Sequence, residues 1–488
     1  MGGIDDIKDI LRGALASLGG FGGRMLARLA MLFFAGSYYG AEKFGHLGEV
    51  AAITEIMAAA AVLGLKRTLL DMLSAKDAAD KTGQIIKEAL LASLILASIM
   101  SVGLGFAWSL LFPDAPMPFI LYLAVPGIVV AEVAGTAIRF KRIIRWEVIA
   151  RCVMEPWAFF AAVLIFYWVG MTEIGLISAY AISCIAAAIG ISIGLSGSIG
   201  WKTILSAPLR PRQLYHIPRK SFPIGVTDIG VMMFRRADIL LLSIFVPGEV
   251  TGIYYMAQQI VTVPHKIYQL FEPMMAPVLA KLHHDAKRDV IGAKLAGFCR
   301  WVFTLQLAIT VPFILFGGEL MGLFGSEYMV GALVLAALLT AELMDGSFAL
   351  TETALVFAKP KVPPMLILMA LMIEFSAIYF FAGEMKMGAE GAAVGFLIAM
   401  GSLAAARLFM LWRYLDIKII GLAFLIPVGF GGVTAAALIL LRQTMPMTDG
   451  AVFGPTILIS IFLFVGLVRI LALTPADKLI LQQLKSSS

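Results

Sequence analysis

Only three cysteines occur in 488 residues. Cys152, Cys184 and Cys299 stand far apart, without metal-ligand or redox spacing. Each falls in or beside an apolar segment and reads as a small buried side chain. Charge is scarce too: Lys, Arg, Asp and Glu make up 14% of the chain against 60% hydrophobic residues. With a mean hydropathy of +0.92, such a chain is a polytopic membrane protein and not a soluble globule. No GxxxxGK[ST] phosphate loop is present, which argues against an ATP-driven pump. No HExxH or clustered Cys/His pattern marks a metal enzyme, and no enzymatic activity or cofactor is expected. The five histidines, His46, His216, His265, His283 and His284, fall mostly at expected loops and segment edges. Long hydrophilic connections are missing as well. The net charge of +6 is dealt out loop by loop, so a nucleic-acid partner is not implied.

What the chain does have is a succession of apolar stretches. A window of about 19 residues finds fourteen candidate spans. They are 14–37, 46–65, 87–111, 117–138, 149–170, 174–196, 222–246, 252–272, 293–316, 328–350, 363–382, 389–411, 419–441 and 453–472. With the N-terminus inside, the connections on that side carry Lys66, Arg67, Lys76 and Lys81, then Arg139, Lys141, Arg142 and Arg145. Lys202, Arg210, Arg212, Arg219 and Lys220 follow, and the series continues to Lys478 and Lys485. The opposite side holds Lys43, Lys386 and Arg442. One missed span would invert every later loop, so this bias supports the parse and places both termini in the cytoplasm. The opening MGGIDDIKDILRG lacks a cleavable signal pattern and reads as a cytoplasmic lead-in. Residues 280–294 are expected to be either a short helix at the inner leaflet or a solvated linker.

The pattern repeats. Span six (GLISAYAISCIAAAIG) and span twelve (GAAVGFLIAMGSLAAAR) both open on glycine and end in small residues, and spans one and seven both carry paired arginines. The expected fold class is therefore all-α. Two pseudo-symmetric six-helix lobes, 1–221 (ending in a basic linker, 197–221) and 222–411, are followed by two further helices and a tail over 412–488. Halves running the same way imply a pseudo-twofold along the membrane normal, with a site between them.

The charges inside the spans point to what that site holds. Residues 222–246, FPIGVTDIGVMMFRRADILLLSIFV, are long enough to cross a bilayer yet contain Arg235, Arg236 and Asp238. An ionised side chain at bilayer depth costs roughly 2.5–3.5 kcal/mol on insertion scales, so such groups face a bundle interior or a wet cavity. Arg235 and Asp238, spaced i, i+3, can neutralise each other, whereas Arg236 points about 100° away. Arg24 and Arg28 share a face of the first span at depths of about 15 and 21 Å, and Arg235 comes to about 20 Å. Lys266, beside Pro264 and His265, is either a snorkelling lysine or a cavity residue at a helix break. Arg24, Arg28, Arg235, Arg236 and Lys266 are thus the candidate substrate-binding cations. Among the acids, Asp238, Glu55 and Glu374 stand out. Each is either a counter-ion or a site for a coupled H+ or Na+, with Asp238 foremost as counter-ion. A guanidinium stays charged in apolar surroundings and forks onto phosphate oxygens, so several arginines around a cavity fit a diphosphate. An extruder of cationic drugs would show mainly carboxylates there.

Four stretches carry a resemblance: GAEKFG at 40–45, RRADILLLSIFVPGEVTGIYYMA at 235–257, APVLAKLHHD at 276–285 and FGSEYMVGALVLAALL at 324–339. Their order resembles that of the bacterial polysaccharide-lipid flippases (Wzx type) of the multidrug/oligosaccharidyl-lipid/polysaccharide exporter superfamily, over nearly the whole chain. Arg236, Asp238 and the run Gly252-x-Tyr254-x-x-Ala257 match that family's R-x-D, then G-x-Y-x-x-A, pattern. The resemblance implies two lobes in the bacterial inner membrane that rock to alternate access of a cationic cavity. It implies as cargo an oligosaccharide on a polyprenyl diphosphate, moved from the cytoplasmic to the periplasmic leaflet for cell-surface polysaccharide synthesis. Membrane lipids and the polysaccharide polymerase or export machinery are the implied partners. The lipid-linked peptidoglycan precursor flippase, a relative with an arginine-lined cavity, is one alternative. A multidrug exporter of the same superfamily is another, told apart by the sign of the cavity's charge.

Overall fold

Apolar runs of this length must satisfy their backbone internally in a bilayer, and the chain does so with helices. A computed structural model describes residues 22–75, 81–111, 117–141, 143–284, 288–444 and 450–471, and no strand occurs among them. Ten helices among the described residues are long and apolar enough to cross a membrane, and 452–468 forms a shorter apolar one. The chain is an all-α polytopic membrane protein. The three remaining expected spans lie on α1 (22–39), α10 (Pro211–Phe245) and α11 (Gly248–His284). All three carry the charged or polar residues that lower their hydropathy. The start of the first expected span, 14–21, and the tail from 472 lie outside the described residues.

In chain order, α2 (Ala41–Val62) and α3 (Leu65–Ser74) make one bent span, and α4 (Thr82–Leu111) and α5 (Ala124–Phe140) follow. The fifth span joins α6 (Ile144–Val148) to α7 (Glu155–Trp168) through a π-helical turn, Ile149–Met154. Next come α8 (Gly175–Ser198), the short α9 (Trp201–Ser206), α10 and α11, then α12 (Arg288–Leu315) and α13 (Gly317–Gly322). Then come α14 (Ala332–Gly346), α15 (Leu350–Ala358), α16 (Val362–Ile378), α17 (Gly388–Leu415), α18 (Leu425–Thr444) and α19 (Gly450–Leu471). The chain divides into two compact units, Met1–Leu240 and Leu241–Ser488, so α10 contributes residues to both.

Two connecting stretches extend the helices beside them. The basic linker expected over 197–221 is largely helical, because α9 and the first turns of α10 occupy it. Lys87 donates to the carbonyls of Leu205 and Ala207 at 2.8 Å, and buried Glu88 accepts the Arg210 N–H at 3.0 Å, fixing the turn between them. Residues 280–284 end α11 and 288–294 begin α12, while 285–287 lie outside the described residues. Good helix formers (AKL) carry the helix past its apolar part.

Glycine pairs in α8 and α17 bring each helix close to a neighbour. Gly190 and Gly194, spaced i, i+4 on α8, let the fifth span approach closely. A Cβ at Gly190 would stand 2.8 Å from the Ala150 Cβ, and one at Gly194 would stand 2.5 Å from the Trp146 Cβ. Gly391 and Gly395 on α17 play the same part against the eleventh span. There the would-be Cβ atoms meet the Phe381 carbonyl carbon at 2.7 Å and the Ile378 backbone nitrogen at 2.9 Å. Both contacts are small-xxx-small interfaces between membrane helices. The eleventh span repeats the fifth in another detail: it too contains a π-helical turn, Tyr379–Glu384. In the first unit Gly64, at φ +75°, bends the second span, and it meets Gly225 of α10 so closely that a Cβ on either would stand 2.6–2.7 Å from backbone atoms of the other helix.

Candidate functional site

Several charges of the first unit cluster around α5. Glu132 on α5 anchors them: Arg151, in the π-helical turn, donates to Glu132 at 2.7 Å, and the Lys66 ammonium stands 2.8 Å from the other carboxylate oxygen. Arg151 also reaches Glu155, one turn on, at 3.2 Å. Arg24 of α1 hydrogen-bonds the Cys152 thiol, which lies in the field of Glu155. The buried Cys184 thiol of α8 lies in the fields of both Glu155 and Glu55. Glu55 in turn accepts Arg236 Nε at 2.7 Å, with side chains 27% and 30% exposed. Arg24 and Arg236, on the first and seventh helices, are thus two guanidinium groups among the first unit's spans, Arg24 beside Cys152 and Arg236 on Glu55.

The other expected residues are placed as follows. Arg28 is half-buried one turn beyond Arg24, and Arg235 is exposed. Asp238 is fully buried and its carboxylate caps the Ile239 N–H at 2.8 Å. Glu374 is buried on α16 of the second unit. Lys266 donates to Gln269 at 2.6 Å. No helix break occurs beside it, because α11 runs unbroken through Pro264. For the same reason His265 is neither a loop nor an edge residue: it lies inside α11 with its side chain 15% exposed. The side chains of His283 and His284 lie outside the described set.

Two arginines escape a sequence reading. Arg151 sits near the inner end of its span and Arg407 near the end of another, where snorkelling is the ordinary explanation. Arg407 is 6% exposed and donates to Asp345 and Glu352, a closed triad within the second unit. The i, i+4 spacing of Arg151 and Glu155 was the only local signal; the other partners are far away in sequence. Among the described residues no group of three or more His, Cys, Asp or Glu could hold a metal ion. The first unit also has an open apolar groove of about 830 Å³ lined by Pro126, Val130, Trp146, Ile189, Ile193 and Trp201 among others. None of the expected cations lies in it.

This two-unit, all-helical architecture is the fold of solved transporters of the MOP superfamily. The inward closed conformation of the lipid II flippase MurJ aligns at a TM-score of 0.72 and 14% identity, covering 94% of this chain and 98% of that one. An inward-facing multidrug resistance MATE family transporter aligns at 0.67 and 15%, covering 80% and 94%. A MOP superfamily transporter from Pyrococcus furiosus, described as having a binding pocket of reversed polarity, aligns at 0.55 and 14%, covering 84% and 96%. No protein-family model and no curated protein sequence matches the chain. At such identities the likeness is one of fold.

Proposed function

We propose that this protein is a flippase that moves a polyprenyl-diphosphate-linked oligosaccharide from the cytoplasmic to the periplasmic leaflet of the bacterial inner membrane, for cell-surface polysaccharide synthesis. The observation that carries the reading is the Arg236–Glu55 pair, a guanidinium and a carboxylate from separate helices 2.7 Å apart within the first unit, with Arg24 beside Cys152 in the same unit. Guanidinium forks suit diphosphate oxygens and stay charged out of water. The diphosphate is held by Arg24, Arg28 and one of Arg235 and Arg236, with Lys266 as a further cation. The polyprenyl tail stays in lipid, and the sugars ride in the aqueous cavity while the lobes alternate. Release demands reversible binding, and Glu55 shields Arg236 in the manner such a site requires. A neighbour of the same fold is a lipid II flippase, which supports a lipid-linked cargo. The lipid-linked peptidoglycan precursor is the second reading.

Removing the protein from its cell and identifying the lipid-linked saccharide that accumulates on the cytoplasmic leaflet tests the cargo. Arg24→Ala and Arg28→Ala are expected to abolish export while the protein remains in the membrane. Full export by both variants removes these residues from the site.

A further inference from the structure

Helix α10 is tied to its neighbours in two places and leaves a gap between them. At its start, buried Glu88 of α4 accepts the Arg210 N–H at 3.0 Å, and Lys87 holds the carbonyls of Leu205 and Ala207 at 2.8 Å. Farther along, Gly225 packs on the bend of the second span, where a Cβ would stand 2.7 Å from the Leu63 carbonyl carbon. Leu63 is itself left-handed, at φ 45°. The two ties are about 20 Å apart along the helix axis. Between them lies a groove of about 390 Å³, walled by Leu63, Ile95 and Leu96 on one side and by Pro218 and Phe222 of α10 on the other.

Two features of the groove define what fills it. Its walls open to the bilayer: Ile95 and Phe222, both on membrane-spanning helices, are 51% and 56% exposed, and such side chains meet acyl chains. Its charge has one sign. Arg219 lines it, and no carboxylate does. Neither Arg219 nor Arg212 is ion-paired among the described residues, whereas the acid on the α4 side, Glu88, is buried and turned to the Arg210 N–H. Arg212 and Arg219 are seven residues apart and so fall within about 20° of one another on the helix. Tyr215 and Phe222 repeat that spacing, and Tyr215, 66% exposed, lines the groove between the two arginines. Under the topology that the loop charges indicate, this is the cytoplasmic end of the span. Basic pockets between membrane helices on that side suit phosphodiester headgroups.

We propose that this groove is a binding site for an anionic phospholipid of the cytoplasmic leaflet, with one acyl chain between α4 and α10 and the phosphate on Arg219 and Arg212. A zwitterionic phospholipid offers the same chain and phosphate, but its own cation is repelled by two guanidinium groups. The headgroup therefore decides. Each cation near an anionic lipid surface is worth about fivefold in affinity, so the pair should give a preference of roughly tenfold or more. A lipid in the gap joins the middle of α10 to α4, and binding to the folded protein raises its stability by mass action. None of the candidate cargo cations lines the groove, so the proposal stands apart from the diphosphate reading.

The test is a titration of the full-length protein in detergent with dioleoyl phosphatidylglycerol or dioleoyl phosphatidylcholine, read as the thermal midpoint. Phosphatidylglycerol is expected to raise the midpoint at a concentration roughly tenfold lower than phosphatidylcholine. In the Arg212→Gln, Arg219→Gln double variant the two lipids should become equivalent. Equal action on the unmodified protein, or a preference that survives in the double variant, overturns the proposal. A second measurement needs no variant. In nanodiscs, phosphatidylglycerol with a diazirine in its acyl chain is expected to label the peptides that carry Ile95 and Phe222, and unlabelled phosphatidylglycerol should compete better than phosphatidylcholine. Labelling absent from those peptides, or equal competition by the two lipids as for ordinary annular lipid, overturns it. So does displacement of the label by farnesyl diphosphate at a lower concentration than by phosphatidylglycerol, which assigns the groove to a prenyl chain.

Discussion

Glu55→Gln is expected to tighten the binding of a prenyl diphosphate. Glu55 holds Arg236 Nε at 2.7 Å, so an incoming diphosphate must compete with a carboxylate for that guanidinium. A hydrogen bond to a charged partner contributes about 1.5–3 kcal/mol net. Both side chains are more than a quarter exposed, and screening by water brings the pair down to about 1–1.5 kcal/mol. Since about 1.4 kcal/mol is tenfold in affinity, Glu55→Gln should lower the dissociation constant of farnesyl diphosphate by roughly fivefold to tenfold. Glutamine keeps the shape and one acceptor, so packing is little changed. Equilibrium binding to the protein in nanodiscs, at fixed ionic strength, is the assay. Arg236→Gln should weaken binding, and the double variant should match Arg236→Gln alone, because Glu55 acts through that arginine. Weaker binding by Glu55→Gln would refute the reasoning and make Glu55 a ligand or coupling group instead of a counter-ion.

Other consequences follow from the packing. Arg407→Met leaves Asp345 and Glu352 facing each other without their cation, and breaking a buried pair from one side costs about 3–5 kcal/mol. At about 2–4 °C per kcal/mol for a unit of this size, the thermal midpoint in detergent should fall by about 6–20 °C. The triple change Arg407→Met, Asp345→Asn and Glu352→Gln should recover most of it. Gly391→Ala sets a Cβ against backbone atoms at 2.7 and 2.8 Å, which cannot turn aside. It should cost about 1–3 kcal/mol, whereas Gly197→Ala, with nothing within 4 Å, should leave the midpoint unchanged.

The helices were readable because a bilayer allows few alternatives. The described part of each of the fourteen apolar stretches is mainly helical, with the exact ends differing where polar residues continue a helix, as at 211–221 and 280–284. The small residues of spans six and twelve were also readable, and glycines among them make two close helix contacts. Partners were harder. Asp238 stood one turn from Arg235 and drew the eye, whereas Glu55 lies 181 positions from the arginine it holds. No period in a single chain reports such a pair. The sequence reads His265, like the other histidines, as a loop or edge residue, and Pro264 suggests a break beside Lys266. The helix tolerates that proline, which placed an imidazole beside Glu342. Arg151 and Arg407 look like end-of-span snorkellers until the carboxylates from other helices are seen around them.

The most direct test of an arginine-lined diphosphate site is the sign of the ligand it prefers. Farnesyl diphosphate and a farnesyl trimethylammonium salt share a tail and differ in charge, so their binding to the purified protein isolates the headgroup. Preference for the diphosphate by tenfold or more (about 1.4 kcal/mol), lost in the Arg24→Ala, Arg28→Ala double variant, is the expected result. Preference for the ammonium salt, or a diphosphate affinity indifferent to both arginines, would contradict it.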